Sequence, residues 1–138
     1  MSHPALSEDG QWFYVRTNQV APYSYDVYRV PSAGGELARL TQVQGMDDFA
    51  LSPDGRQLAV LHSSPYTLAQ LAVQGVDGGT SRDLTNTMKP GFTAHQWIQP
   101  KIVGVPSSHG AGTIWAKYYG PADEAAAACV LWVVRWNR

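Results

Sequence analysis

Apolar and polar residues alternate in short segments of this chain, and turn-forming residues separate the segments. The clearest alternation runs over residues 24–31, where Tyr25 and Val27 point to one side and Asp26 and Tyr28 to the other. Two further segments, QWFYVRTN and RQLAVLHS, are rich in β-branched and aromatic residues and too short for helices, and TLAQLAVQG is the later counterpart of residues 24–31. The pattern therefore predicts a β protein.

A set of landmarks occurs twice in the same order. Leu6, Gly10 and Val15 recur 45 positions later as Leu51, Gly55 and Val60. The pairs Gly34-Gly35 and Leu40-Thr41 recur 44 positions later as Gly78-Gly79 and Leu84-Thr85. A period of this length is typical of propellers and other repeat arrays.

The repeated Asp-Gly sequence predicts a tight turn. In the second copy, Pro53 presets φ for a type I turn, Asp54 suits the next position and Gly55 accepts the left-handed conformation that follows. Glu8 replaces the proline in the first copy, which a type I turn tolerates. Asp77, before two glycines, predicts another hairpin turn.

Four short strands per repeat and a period near 44 predict blades of a β-propeller. The predicted blades span about residues 5–44 and 45–87, and the first strand of a further blade would extend to residue 97. A β-sandwich with accidental internal similarity is the alternative. From Trp97 onward the turn sequence is lost, and KIVGV, PSSHGAGT and IWAKYYGP predict a β-hairpin without a helix.

Composition and net charge exclude several classes of function. The 138 residues are 44% hydrophobic and 15% charged, with a net charge of −1, so no basic surface for nucleic acid or anionic membrane is expected. No segment has the roughly 20 apolar residues that a membrane-spanning helix needs. The N-terminus MSHPALSEDG lacks the basic and apolar regions of a signal peptide. Cys129 is the only cysteine, which excludes an internal disulfide.

Several residue types suggest chemistry but have simpler structural roles. Ser107, Ser108 and His109 are a nucleophile and a base by type, yet neighbours in a hairpin turn cannot aim at one another as triad members do. The remaining histidines have no metal-ligand spacing, and we expect surface or packing roles for them: His3, His62 and His95. The sequence therefore predicts no catalytic, cofactor-binding or metal-binding residue.

Other candidates also have two interpretations. Asp47 and Asp48 could bind a cation with Asp54, but strand-entry and turn roles are expected. Three tyrosines could line a peptide-binding face, although packing within and between blades is the preferred role: Tyr23, Tyr25 and Tyr28. Cys129 lies in an apolar run and is expected to be a small buried hydrophobic residue.

The repeat, with Ser-Pro-Asp-Gly, an apolar strand, Gly-Gly and Leu-Thr, resembles the WD40-like repeat of TolB-type propellers and of the prolyl oligopeptidase family of serine peptidases. The segment WIQPKIVGVPSSHGAGTIWAKYYGP resembles the junction of bacterial dipeptidyl peptidase IV-like members, where the propeller leads into an α/β-hydrolase domain. The resemblance covers about residues 5–121. It implies a partial propeller at 1–97 and the start of a hydrolase domain at 98–138.

The chain departs from this family after YYGP. ADEAAAA can serve as the linker and CVLWVV as the next strand, but RWNR stands where a His-Gly loop is expected. No G-x-S-x-G nucleophile elbow follows. We therefore expect a fragment, inactive by itself, of a peptidase whose full-length form releases dipeptides from peptide N-termini and is often exported in bacteria.

Two other hypotheses remain at this stage. One is a non-enzymatic TolB-like propeller piece that binds proteins, and the other is a small free-standing all-β interaction protein. No cofactor is expected, and the partner of the full-length parent would be a peptide substrate. Two blades leave sheet edges uncovered, so association through these edges is also expected.

Overall fold

The computed structural model describes residues 3–42, 45, 48–110, 112–120 and the strand at 130–133. The chain forms two compact units, Met1–Lys89 and Pro90–Arg138. The fold is all-β, with a partial propeller of two blade-like sheets in the first unit and a strand hairpin in the second.

The first sheet has four antiparallel strands in sequence order. They are β1 (Ala5–Leu6), β2 (Trp12–Ala21), β3 (Ser24–Pro31) and β4 (Ala38–Arg39). The alternation in residues 24–31 predicts the bounds of β3 correctly. β2 is longer than QWFYVRTN suggests, because the chain stays paired up to Ala21 after an irregularity that follows Thr17.

The second sheet repeats this order. Its strands are β5 (Asp48–Leu51), β6 (Gln57–Ser64), β7 (Thr67–Gly75) and β8 (Gly78–Asp83). An irregularity follows His62 in the pairing of β6 with β7, at the position equivalent to Thr17. β8 begins at Gly78, the first residue of the double glycine, because Gly75 pairs with Gly78 across the turn.

The two sheets share one apolar core. It joins Tyr14, Val27 and Leu40 of the first sheet to Leu58 and Val60 of the second, all 5% exposed or less. Burying such a side chain stabilises the fold by about 1.5–3 kcal/mol. Each blade therefore depends on its neighbour for its core, as expected for repeat units.

The second unit contains the predicted hairpin. β9 (Lys101–Pro106) pairs antiparallel with β10 (Thr113–Tyr119), which also pairs with β11 (Val130–Val133). The prediction of a strand in CVLWVV is thus confirmed for residues 130–133. Cys129 lies outside the described residues, so the prediction of its burial stays a prediction.

The segment before the hairpin differs from expectation. Where the first strand of a further blade was predicted up to residue 97, the chain forms the short helix α1 (Pro90–Thr93) and no strand between Asp83 and Lys101. Pro90 favours the first turn of a helix because its φ is preset and its missing N–H is not needed there. The Ala94 N–H donates to the Pro90 carbonyl at 2.9 Å.

Candidate functional site

Both sheets carry the same hydrogen-bonded corner between their first and second strands. In the second sheet, Ser52 Oγ donates to Asp54 Oδ1 at 2.5 Å and accepts from the backbone N–H of Gln57 at 2.9 Å. In the first sheet, Ser7 and Asp9 make the equivalent bonds at the same distances. The repeated sequence therefore encodes one geometry twice.

The glycines close these corners as predicted. Gly10 has φ of 69° and Gly55 has φ of 66°, the left-handed conformation that other residues adopt at a cost. Each glycine N–H donates at 2.9 Å to the carbonyl of the corner serine, Ser7 or Ser52. The prediction of a tight turn closed by a left-handed glycine is confirmed in both copies.

The corner carboxylates are held in their ionised form. The hydroxyl of Ser7 lowers the pKa of Asp9, and the hydroxyl of Ser52 lowers the pKa of Asp54. In each case a backbone N–H two residues further on lowers the pKa as well. These carboxylates act as turn acceptors, and a lowered pKa makes them poor general acids.

An ion pair links the two sheets beside the corners. Arg29 on β3 places Nη1 2.5 Å from Asp77 Oδ1 and 3.4 Å from the Val76 carbonyl, both in the β7–β8 turn. Its guanidinium lies over the Trp12 ring, 4.5 Å from the centroid. Asp77 is thus more than the turn former that the sequence suggested.

The corners and this ion pair line a groove between the sheets, here called the inter-blade groove. Its volume is about 430 Å³, and its charged lining consists of Glu8, Asp9, Asp54, Asp77 and Arg29. The serine in the lining, Ser7, donates its hydroxyl to the Asp9 carboxylate rather than to a histidine base. The groove therefore offers hydrogen-bonding and ionic contacts, and its serine lacks the activation that acyl transfer requires.

The Leu-Thr landmark also forms a repeated structure. Thr41 Oγ1 accepts from the Val27 N–H at 2.9 Å and donates to the buried Asp26 at 3.3 Å. Arg39 pairs with the second oxygen of Asp26 at 2.8 Å. The buried carboxylate is therefore balanced by a cation and a hydroxyl donor.

The second sheet has an equivalent threonine, but a neutral residue replaces the buried carboxylate. Thr85 Oγ1 accepts from the Leu71 N–H at 2.8 Å and donates to Gln70 Oε1 at 3.1 Å. Gln70 occupies the position of Asp26 and is neutral, so no arginine is needed beside it. Asp83, at the position of Arg39, instead lies 2.9 Å from His62 Nε2.

Ser107, Ser108 and His109 lie in the β9–β10 turn. The Ser107 N–H donates to the Gly112 carbonyl at 2.8 Å, and the His109 N–H donates to Ser107 Oγ at 3.2 Å. These contacts involve the backbone of His109 and not its imidazole. The turn role given to these residues by the sequence is the one their contacts show.

The other histidines have different surroundings. His95 packs edge-on against Trp97, with centroids 4.4 Å apart, and His3 is exposed. Asp48 accepts from the adjacent Phe49 N–H at 3.0 Å, while Asp47 lies outside the described residues. Across residues 3–42, 45, 48–110 and 112–120, no three His, Cys, Asp or Glu side chains are arranged to hold a metal ion.

The three tyrosines singled out by the sequence have different surroundings. Tyr23 is 38% exposed, and Tyr25 lies under the guanidinium of Arg16, 4.9 Å from the centroid. Tyr28 is buried, which raises the pKa of its phenol. Its hydroxyl has no hydrogen-bond partner within the described part of the chain. The structure does not bring the three together into one face.

Sequence reasoning missed the contact that Arg29 makes with Asp77 between the two sheets. The available signal was the position of Arg29, which follows Tyr25 and Val27 on the same side of an alternating strand. A cation on the apolar side of a strand indicates a buried or interfacial partner. The partner itself, Asp77, is 48 residues away and could not be found from spacing.

Comparison with known proteins bears on the fold. A crystal structure of Porphyromonas gingivalis dipeptidyl peptidase 4 matches with a TM-score of 0.70 over 85% of this chain, at 17% identity. This likeness establishes the fold. Since 85% of the chain exceeds the 89 residues of the first unit, the match extends into the second unit.

The match covers a small part of the P. gingivalis protein. This chain spans 17% of the length of the P. gingivalis protein. No protein-family model and no curated protein matches the sequence. In the residues that the structure describes, no helix has the length and apolar character needed to cross a membrane.

Proposed function

We propose that this chain is the propeller-to-hydrolase junction of a dipeptidyl peptidase IV-like serine peptidase of the prolyl oligopeptidase family. The observation that carries the proposal is the order of the elements. Two blade-like sheets are followed by the β9–β10 hairpin, in a chain whose fold is matched over 85% of its length by a bacterial dipeptidyl peptidase 4. A propeller piece without this junction would continue with further blades.

The contacts of the described residues support a structural role for this segment. The corner serines donate to carboxylates, and Ser107 Oγ accepts from the backbone N–H of His109 in its turn. We therefore assign residues 1–97 to the partial propeller and residues 98–138 to the opening of the hydrolase domain. The nucleophile, the acid and the base would come from a later part of the parent.

In the proposed parent, the propeller would border the path of the peptide substrate and the hydrolase domain would release N-terminal dipeptides. The contribution of this chain would be to hold the last blades together through the shared core and the Arg29–Asp77 pair. It would also lead the chain into the first strands of the hydrolase sheet. Catalysis is then a property of the parent.

Sequencing the DNA around this reading frame tests the proposal. We expect a G-x-S-x-G motif downstream, in this or another frame, followed by an aspartate and a histidine in that order. Further Ser-Pro-Asp-Gly repeats downstream without such a motif would instead favour a TolB-like binding propeller. That outcome would overturn the peptidase proposal.

An activity assay gives a second test. The purified chain should not hydrolyse a proline-containing dipeptide chromogenic substrate above the buffer rate. A bacterial dipeptidyl peptidase 4 serves as the positive control in the same assay. Hydrolysis that a serine-directed inhibitor abolishes would contradict the structural role assigned here.

A further inference from the structure

The inter-blade groove has more negative charge in its lining than positive charge. Its lining contains one guanidinium, that of Arg29, and four carboxylates: Glu8, Asp9, Asp54 and Asp77. In the part of the chain that the structure describes, only the Asp77 carboxylate among these four is in a salt bridge. The other three carboxylates therefore give the groove an excess of negative charge.

Two of these carboxylates are ionised at neutral pH and still have an oxygen to offer. Hydrogen bonds from the corner serine hydroxyls lower the pKa of Asp9 and Asp54. The charge of Arg56 lowers the pKa of Asp54 further, although Arg56 does not line the groove. Within the described residues, the corner bonds use only Oδ1 of each carboxylate, so Oδ2 can accept a bond from a ligand.

A buried phenol lies among these charges. Tyr14 is 2% exposed, and it both belongs to the shared core and lines the groove. Burial raises the pKa of its phenol, and the charges of Arg29, Asp77 and Asp9 also act on it. Among the described residues its hydroxyl makes no hydrogen bond. Since an unpaired buried hydroxyl is costly, its place in the groove wall points to a polar group that binds there.

The spread of the carboxylates selects the shape of the cation. Over residues 3–42, 45, 48–110 and 112–120, no three acidic, histidine or cysteine side chains converge as metal ligands do. A guanidinium group is planar and carries five N–H donors, so it can reach separated acceptors at once. The groove already accepts one such group, because Arg29 lies against Asp77 and the Trp12 ring.

We propose that the inter-blade groove binds the guanidinium group of an arginine side chain or of a small guanidine compound. The carboxylates of Glu8, Asp9 and Asp54 balance its charge, and the Tyr14 hydroxyl accepts one of its N–H groups. Both walls of the groove belong to the two blades of this chain, so further blades packed on their outer sides leave these walls in place. The inference rests on the first unit alone and is independent of the peptidase proposal.

Titration calorimetry of the whole chain at low salt tests the proposal with matched probes. The capped peptide acetyl-Gly-Arg-Gly-amide carries the guanidinium, and the same peptide with citrulline is its uncharged isostere. Ethylguanidine represents a small guanidine compound. We expect a guanidinium probe to bind at one site per chain, more weakly as salt is added, and the citrulline peptide not to bind. The guanidinium probe that binds more tightly identifies the source of the ligand.

Two substitutions locate the site. Glu8→Gln removes one charge at an exposed position and should weaken binding by up to about fivefold, the range for an exposed ion pair. Tyr14→Phe removes only the phenol oxygen and should weaken binding by about tenfold. It should not lower the urea midpoint of the chain, because no hydrogen bond among the described residues depends on that oxygen.

A control separates the site from a general effect of charge. Glu36→Gln removes an exposed charge outside the lining of the groove and should bind like the unaltered chain. Far-UV circular dichroism checks that each variant is folded. The proposal is overturned if neither guanidinium probe binds, or if the citrulline peptide binds equally well. Folded Glu8→Gln and Tyr14→Phe variants that bind like the unaltered chain, or an equal loss for Glu36→Gln, would overturn it as well.

Discussion

Arg29 and Asp77 lie 48 residues apart in the sequence, yet their side chains meet at 2.5 Å between the two sheets. The contact joins β3 of the first blade to the β7–β8 turn of the second. Asp77 is 85% exposed, whereas Arg29 is 22% exposed and covers the Trp12 ring. The two partners therefore contribute differently to the stability of the blade pair.

A double-mutant cycle with Arg29→Met and Asp77→Asn should give a coupling energy of about 0.2–1 kcal/mol, because solvent screens an exposed pair. Arg29→Met alone should destabilise more than Asp77→Asn, since it also removes the contacts with Trp12 and the Val76 carbonyl. Urea unfolding at low and high salt measures both effects. A coupling energy unaffected by salt would contradict a screened pair.

Leu58→Ala should lower the free energy of unfolding by about 2–5 kcal/mol, because it opens a cavity in the core that the two blades share. Leu58 is 0% exposed. Leu68→Ala is the matched control on the next strand of the same sheet, where the leucine is 45% exposed and a smaller loss is expected. Equal losses for the two variants in urea unfolding would show that Leu58 is not in the core.

Thr41→Val should lower the free energy of unfolding by about 1–3 kcal/mol. The variant lacks both the oxygen that accepts from the buried Val27 N–H and the hydroxyl hydrogen that is donated to Asp26. Thr85→Val is the equivalent change in the second blade. Thr85 is exposed, so water can replace its hydroxyl and the loss should be smaller. Thermal unfolding of the two variants compares them, and a larger loss for Thr85→Val would contradict this explanation.

The corner carboxylates should make stability depend on pH in acid. Their folded pKa values lie below the ordinary 3.8, so the carboxylates stabilise the fold above that pH. This contribution is lost as the pH falls through the folded pKa. The double variant Asp9→Asn and Asp54→Asn should therefore be less stable than the parent at neutral pH and approach it in acid.

Urea midpoints at neutral and acidic pH measure this difference. Glu36→Gln is the control, because it removes one negative charge at an exposed position outside the two corner sequences. A gap between the double variant and the parent that stays constant from neutral to acidic pH would show that the corner hydrogen bonds do not favour the ionised form.

Local features of the fold could be predicted from the sequence. The Ser-x-Asp-Gly corners need only residues within five positions of one another, so the same residues give the same hydrogen bonds in both copies. β3 was predicted with its bounds because period-two alternation depends on the strand alone. The short helix at Pro90–Thr93 was not predicted, because the repeat led us to expect a further strand in this segment although it begins with Pro-Gly.

The sequence by itself determined the repeat, the turn chemistry and the alternation of each strand, because these follow from backbone geometry over a few residues. Only the tertiary structure decided which side of each blade is covered. Leu40 and Leu84 are equivalent in sequence, but one is buried and the other is 50% exposed. The difference arises because the second blade packs over the side of the first blade that carries Tyr14 and Val27. Burial therefore depends on that neighbour rather than on the residue.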